Sequence, residues 1–207
     1  MKVEIWSDVM CPFCYIGKRK FEGALEQFKN TDNIEIVWKS FQLAPDMQTD
    51  PDKSIHQFLA EHKGLGLEQA KEMNEQVANY AAQAGLDFNF DQTVPANSFN
   101  AHRFAHFAKH HGLQDKAEEA LFKAYFTDGK NIDDIEILVK LGQEIGLSPT
   151  ETRSALESSL YANNVRHDIN EARQLGVRGV PFFVFDRKVA VSGAQGSEVF
   201  LQALKKT

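Results

Sequence analysis

The hydrophobic pattern at the N-terminus predicts two strands with a helix between them. Residues 3–6 and 34–38 are short runs rich in β-branched and aromatic side chains, which are typical of strands. Between them, over residues 12–28, apolar side chains recur at a spacing that places them on one helix face. These side chains are Cys14, Phe21, Leu25 and Phe28. The pattern therefore predicts a β-α-β unit.

The middle of the chain, from residue 45 to about residue 160, has helical spacing and almost no strand pattern. Its periodic runs end at glycines, which easily take the left-handed conformation that closes a helix. These are Gly64, Gly85, Gly112, Gly129 and Gly146. Ser148 and Pro149 mark one clear helix start, a capping side chain followed by proline. We expect five or so helices here.

Strand patterns return near the C-terminus. A helical run over 161–175 ends at Gly176, and a hairpin with its turn at Asp186 and Arg187 follows it, before a last helix. The two strands and this helix cover residues 182–185, 189–192 and 197–204.

Without the middle region, the elements run β-α-β and then α-β-β-α, which is the element order of a thioredoxin fold. The predicted fold class is therefore α/β, a thioredoxin fold interrupted by an all-helical insertion. We predict a discontinuous thioredoxin-like domain at 1–44 and 160–207 and an insertion domain at 45–159.

Composition narrows the range of partners. The 207 residues carry a formal net charge of -6, which argues against a general binder of nucleic acid. No stretch of about 18 uninterrupted apolar residues occurs, so a membrane span is not expected. The first residues enter a strand pattern without the apolar region of a secretory leader, and we therefore expect a cytoplasmic protein.

Candidate chemistry lies in Cys11 and Cys14, the only cysteines in the chain. Residues three apart share a helix face, so the two thiols can close into a disulfide. Pro12 suits the first helical position, which places Cys11 at the N-cap, where the helix dipole favours a thiolate. We predict Cys11 as the nucleophile and Cys14 as the resolving thiol.

Two other interpretations of this pair stay open. Structural zinc takes four ligands, and no second pair of ligands follows at finger spacing. Inert burial suits Cys14, but it does not suit the exposed cap position expected for Cys11.

Further candidates surround the pair in the sequence. Asp8 either accepts a proton during thiol exchange or simply ends the first strand. His102, His106 and His110 are four residues apart, a spacing that can bind metal or belong to a polar or partly buried helix face. Because no carboxylate completes that set locally, no metal site is predicted.

Aromatic side chains near the cysteines could form an apolar platform for a substrate. Alternate strand residues face opposite sides of a sheet, so some of these side chains must instead belong to the core. The candidates are Phe13, Tyr15, Phe182, Phe183 and Phe185.

Four motifs together resemble the DsbA-like branch of the thioredoxin superfamily, and most closely the cytoplasmic FrnE-like dithiol-disulfide oxidoreductases. The first motif is the segment DVMCPFCYIG at residues 8–17, and the resemblance extends over essentially the whole chain. The others are NSFNAHR at 97–103, GVPFF at 179–183 and SGAQ at 192–195.

This resemblance implies a site. It implies that Val180 and Pro181 are joined by a cis peptide bond packed against the cysteines, and that the Val180 backbone binds an extended substrate. Pro12 and Phe13 would contribute to substrate binding, while the insertion would form a lid over the cysteines. Asn97, His102 and Arg103 would lie on a helix of that lid.

The chain departs from the periplasmic relatives in the residues between its cysteines. Phe13 stands where those proteins commonly carry a histidine, so one source of thiolate stabilisation is missing. We therefore expect a less oxidising couple than theirs.

The leading hypothesis is a thiol-disulfide oxidoreductase or isomerase that exchanges disulfides with protein or small-molecule thiols. It needs no organic cofactor, although glutathione could serve as a co-substrate. The alternatives are a glutathione-dependent transferase or isomerase of the kappa type, which usually has serine at the nucleophile position, and a non-enzymatic metal- or peptide-binding module.

Overall fold

A computed structural model describes residues 1–29 and 31–207. Four strands and nine helices occur in this part of the chain. In order they are β1 (Lys2–Ser7), α1 (Pro12–Leu25), β2 (Glu35–Ser40), α2 (Ile55–Lys63), α3 (Leu67–Ala82), α4 (Phe99–His110), α5 (Gln114–Phe126), α6 (Ile135–Glu144), α7 (Pro149–Glu157), α8 (Ala162–Gln174), β3 (Phe182–Phe185), β4 (Val189–Ser192) and α9 (Ser197–Lys206).

The strands form one sheet in the order β2-β1-β3-β4. β1 is parallel to β2 and antiparallel to β3, so Ile5 lies between Trp38 and Phe183. β3 and β4 form an antiparallel hairpin whose turn residues, Asp186 and Arg187, both have positive φ. The predicted α/β fold class is therefore confirmed, including the order of elements along the chain that remains when the helical region is set aside.

Each face of the sheet is covered by helices. On one face, Ile5 and Phe183 pack with Phe21 of α1 and Phe200 of α9 in the main hydrophobic core. On the other face, Trp6 packs in a smaller cluster, and its indole nitrogen donates a hydrogen bond of 3.0 Å to the backbone of Asp168 in α8. The alternation follows from the strand period of two.

The region between β2 and α8 contains six helices, α2 to α7, where the sequence predicted about five. Five of them, α2 to α6, precede the five predicted helix-closing glycines, and the sixth, α7, begins at the predicted start at Ser148 and Pro149. The five predicted helix-closing glycines all have positive φ. The division into two domains at residues 45 and 159 stays a prediction.

A side chain of the insertion forms hydrogen bonds with the edge of the sheet, as a neighbouring strand would. Gln114, the first residue of α5, accepts a hydrogen bond from the Trp38 backbone nitrogen at 3.1 Å and donates one to its carbonyl oxygen at 2.9 Å. This satisfies backbone groups on the outer edge of β2. None of the helices in the described ranges is long and apolar enough to cross a membrane.

Candidate active site

The two cysteines lie at the N-terminus of α1. Cys11 is the N-cap with extended backbone angles, and Pro12 takes the first helical position, as the sequence predicts. The backbone nitrogen of Cys14 donates to the Cys11 carbonyl at 3.0 Å, which begins the helix. Both thiols are free, so the structure corresponds to the reduced dithiol.

Val180 and Pro181 lie against the cysteine pair. The peptide bond between them is cis, and the Cys11 thiol donates a 3.5 Å hydrogen bond to the Val180 carbonyl oxygen. Gly17 makes this approach possible, because a Cβ atom at that position would lie 2.9 Å from Pro181 Cγ. Residues 169 positions apart in the sequence thus meet at one thiol.

Cys11 is 4% exposed, and the expectation of an exposed cap position is therefore wrong. The helical region covers the end of α1, which a local sequence pattern cannot report. Cys14 is fully buried, and this burial raises the pKa of its thiol well above the usual range. The neighbouring Cys11 thiol also raises the pKa of Cys14, whereas hydrogen bonds with the Ser7 hydroxyl and the Asp8 backbone lower it.

A cavity of about 340 Å³ opens beside Cys11. Pro12 and Phe13 line it from α1, and Phe13 is 42% exposed. Helices of the insertion and the segments around them supply the opposite, mainly apolar wall, with Phe58, Val77, Phe90 and Tyr125. His62 and Lys63 add polar groups to this wall. Such a cleft can hold an apolar or extended substrate against the Cys11 thiol.

Asp8 is fully buried in the turn between β1 and α1. One carboxylate oxygen accepts from the Met10 backbone nitrogen at 3.3 Å, and the other accepts from that of Leu43 at 2.7 Å. The imidazole nitrogen Nε2 of His102 lies 3.4 Å from the same carboxylate. The carboxylate of Asp8 therefore joins the cysteine turn, the segment after β2 and helix α4.

The aromatic platform is smaller than the full set of candidates. Tyr15, Phe183 and Phe185 are buried in the main core, and Phe182 packs on the other face of the sheet. Only Phe13 of this set lines the cavity. The strand period explains the separation of Phe182 from its neighbours, as the alternative interpretation anticipated.

The three histidines have different environments. His102 and His106 are buried, while His110 is exposed. Nε2 of His102 donates to the Phe41 carbonyl at 2.8 Å, and Nε2 of His106 lies 3.0 Å from Asp168. Across residues 1–29 and 31–207, no group of three or more His, Cys, Asp or Glu side chains is placed to hold a metal ion.

Asn97 and Arg103 have structural partners. Asn97 precedes α4 and is not on a helix, contrary to the expectation, because its side-chain oxygen accepts from the Phe99 backbone at the helix start. Arg103 does lie on α4, where it donates to the carbonyl oxygens of Leu156 and Leu160 near the end of α7. These contacts hold α4 in place beside Asp8.

Sequence reasoning missed Glu118 and Tyr125 of α5. Glu118 is 3% exposed, and Tyr125 is 1% exposed and lines the cavity. The signal was present, because positions 118, 121, 122 and 125 form a helical stripe that is apolar except for Glu118 and the Tyr125 hydroxyl. A carboxylate on a buried stripe is a candidate functional group.

Comparisons with known proteins agree with this architecture. The family model described as DSBA-like thioredoxin domain matches residues 2–205. An uncharacterised protein of Bacillus subtilis, YwbO, is 30% identical over 98% of this chain and 94% of its own length. A crystal structure of a probable DsbA oxidoreductase from Streptomyces coelicolor is 40% identical, with a TM-score of 0.92 over 100% of this chain and 89% of that one.

A more distant structure shares the fold. The cytosolic disulfide reductase DsbM of Pseudomonas aeruginosa is 16% identical, with a TM-score of 0.69 over 100% of this chain and 98% of that one. The structure of that reductase has also been solved with GSH. Because the family model matches nearly the whole chain and the Streptomyces structure is 40% identical to it, the chain belongs to the DSBA-like thioredoxin domain family and is a DsbA-like disulfide oxidoreductase.

Proposed function

We propose that this protein exchanges disulfides with protein or small-molecule thiols through Cys11 and Cys14, as a thiol-disulfide oxidoreductase or isomerase of the FrnE-like type. The observation that carries the proposal is the position of the Cys11 thiol. It lies at a helix N-terminus, 3.5 Å from the Val180 carbonyl, and it faces an apolar cavity.

In the reducing direction, the Cys11 thiolate attacks one sulfur of a substrate disulfide. A bond forms between Cys11 and that sulfur, the substrate disulfide breaks, and the other sulfur leaves as a thiolate. Cys14 then attacks Cys11, closes the protein disulfide and releases the second substrate thiolate. The protein has lost two electrons and the substrate has gained them. A thiol donor such as glutathione returns the protein to the dithiol, and the reverse sequence oxidises a substrate dithiol.

The Cys14 thiol must lose its proton before it attacks. Because burial raises its pKa, the proton needs a nearby acceptor. We propose Asp8 for this role, since its backbone contacts Cys14 and its carboxylate is buried in the same turn. The proton then leaves with the released substrate thiolate.

Substrate binding is proposed for Pro12, Phe13 and Val180. The position of the Val180 carbonyl beside the Cys11 thiol supports a role for its backbone in pairing with an extended substrate, and Phe13 supplies exposed apolar surface at the cavity. Glutathione is proposed as a small co-substrate, supported by the polar His62 and Lys63 in the cavity lining. The protein itself is proposed to act in the cytoplasm.

The couple is proposed to be less oxidising than that of periplasmic relatives. Phe13 supplies no cation between the cysteines, so the Cys11 thiolate, and with it the reduced form, is less stabilised. A moderate exchange catalyst fits this arrangement better than a strong protein oxidase.

The decisive experiment replaces Cys14 with serine and searches for trapped adducts. With Cys14→Ser, a mixed disulfide on Cys11 cannot be resolved, so mass spectrometry is expected to detect protein or glutathione adducts on Cys11. Cys11→Ser is the matched control and should yield none. An unreactive Cys11 overturns the proposal, and glutathione-transferase activity that survives the loss of Cys14 would instead indicate the kappa-type chemistry.

A further inference from the structure

Glu118 is a buried carboxyl group without a matching partner. The residue is 3% exposed, and its Oε2 atom has no hydrogen-bond partner within residues 1–29 and 31–207. A buried carboxylate that lacks a partner is costly, so such a group usually changes its protonation or serves a function. Glu118 lies on α5, which packs against α4, the helix that carries His102.

Charged groups of four segments act on Glu118. They are His102 on α4, Asp8 in the turn after β1, Lys18 on α1 and Asp115 on its own helix. Burial raises the pKa of Glu118 to about 7. The negative charges of Asp115 and Asp8 also raise this pKa, whereas the positive charges of His102 and Lys18 lower it. The carboxyl group therefore changes its charge near neutral pH.

His102 connects Glu118 to Asp8. Burial by itself would lower the pKa of His102, but the Asp8 and Glu118 carboxylates and the Phe41 carbonyl raise it above its ordinary value. The imidazole donates to Phe41 at 2.8 Å and lies 3.4 Å from the Asp8 carboxylate. Both acids therefore act on the imidazole electrostatically, and of their two carboxylates only that of Asp8 accepts backbone hydrogen bonds among the described contacts.

The Asp8 carboxylate in turn holds the cysteine segment. It accepts from Met10, the residue before Cys11, and from Leu43, and both of these residues line the cavity. The Asp8 carbonyl accepts from the Cys11 backbone nitrogen at 2.9 Å. A change in how strongly His102 attracts this carboxylate therefore acts on the turn that orients Cys11.

We propose that Glu118 is a positioning residue for thiol-disulfide exchange, acting through His102 on the Asp8 carboxylate and the cysteine turn. This inference rests on the proposed function. Glu118 makes no bond to substrate and takes no electrons. When it ionises, it adds one negative charge near His102 and weakens the attraction between the imidazole and the Asp8 carboxylate, which leaves more negative charge at the cysteine turn and disfavours the reacting thiolate.

The test compares the wild-type protein with Glu118→Gln, which keeps the shape but cannot ionise. The rate of reaction with oxidised glutathione is measured between about pH 6 and about pH 8. The wild-type rate is expected to rise less with pH than that of Glu118→Gln, so that the ratio of the two rates changes at least about threefold over this range. Glu144→Gln, an exposed acid on α6, is the control and should follow the wild-type profile.

A second measurement does not depend on activity. NMR titration of the His102 imidazole is expected to show a lower pKa in Glu118→Gln, because one neighbouring negative charge is removed. If Glu118 acts through His102, its substitution should also have no further effect on the pH profile in a His102→Gln background.

The outcomes separate this inference from the proposed function. If the wild-type protein shows no exchange at Cys11, the proposed function fails. If it exchanges but its pH profile coincides with that of Glu118→Gln, or if the His102 titration is unchanged, the role of Glu118 is refuted while the proposed function stands. If His102→Gln does not fold, the titration of His102 in Glu118→Gln decides.

Discussion

Cys11 and Cys14 are both buried, yet their surroundings differ. The Cys11 thiol reaches a carbonyl oxygen at the edge of a cavity, whereas Cys14 lies inside the core with no exposed surface. A reactive thiol needs access to its substrate, and of the two only Cys11 lines the cavity. This difference in access is what the proposed roles of nucleophile and resolving thiol require.

In the reduced protein, iodoacetamide should alkylate Cys11 before Cys14. The burial of Cys14 raises the pKa of its thiol and keeps the reagent out, so we expect at least a tenfold difference in rate, about what one pKa unit provides. Peptide mass spectrometry over a time course measures both rates. Equal rates, in protein shown to be folded by circular dichroism, would contradict these roles.

Two buried tyrosines provide a matched test of hydrogen bonding. The Tyr125 hydroxyl has no partner in the described part of the chain, whereas the Tyr15 hydroxyl donates to Glu119 at 2.7 Å. Tyr125→Phe should leave the free energy of unfolding unchanged or raise it by up to ~1 kcal/mol, while Tyr15→Phe should lower it by about 1 kcal/mol or more. Urea unfolding measures both, and a larger loss for Tyr125→Phe would show that its hydroxyl is bonded.

At the scale of elements, helix α1 connects the sheet, the cysteines and the insertion. Its N-terminus carries the pair, Phe21 packs in the core beneath the sheet, and Gly17 lets Pro181 approach. Lys18 is buried and forms ion pairs with Glu22 on its own helix and Glu119 on α5, which fix α1 against the insertion. The geometry of the site is therefore a property of how α1 is packed.

Gly17→Ala should disturb the site although alanine favours a helix. The added Cβ would lie 2.9 Å from Pro181 Cγ, so Pro181 must move away from the cysteines. Gly23→Ala is the control on the same helix, because a Cβ atom there would contact only the Ser197 hydroxyl, at 3.2 Å. This substitution should stabilise the helix by up to ~1 kcal/mol, since alanine has the higher helix propensity. We expect Gly17→Ala to be the less stable variant and to exchange disulfides several-fold more slowly. Identical stability and rate for the two variants would show that the contact is not tight.

At the scale of the whole molecule, the insertion and the sheet share one continuous core. Main-core residues come from β1, α1 and β3 and also from α4 and α5. Polar contacts reinforce this union, since Gln114 bonds to β2 and Asp168 of α8 bonds to Lys39 and the backbone of Ser40. The buried charges at this junction should make stability depend on pH.

Glu118→Gln should become more stable, relative to the wild-type protein, as the pH rises. The folded pKa of Glu118, about 7, lies above the unfolded value near ~4.3, so its contribution is fully present below the unfolded pKa and is lost as the pH rises to the folded pKa. Glutamine does not titrate, so the variant keeps its stability over this range. The free energy of unfolding of Glu118→Gln should therefore rise, relative to that of the wild-type protein, by on the order of 2–3 kcal/mol between about pH 4 and about pH 8.

Urea unfolding of both proteins at several pH values measures this difference. Glu144→Gln, which removes an exposed acid, should show no comparable trend. A constant difference between Glu118→Gln and the wild-type protein would mean that the pKa of Glu118 is the same in the folded and the unfolded protein.

The sequence by itself determined the elements and singled out the cysteine pair. Local period, glycines and Pro12 are short-range signals, and they were enough to predict the strands, the cap at Cys11 and the interrupted α/β fold. Tertiary structure alone decided which groups meet. The contact of Cys11 with Val180, the burial of Cys11, and the cluster of Asp8, His102 and Glu118 all join segments far apart in the chain. Burial and charge interactions depend on distance in space, which no local pattern records.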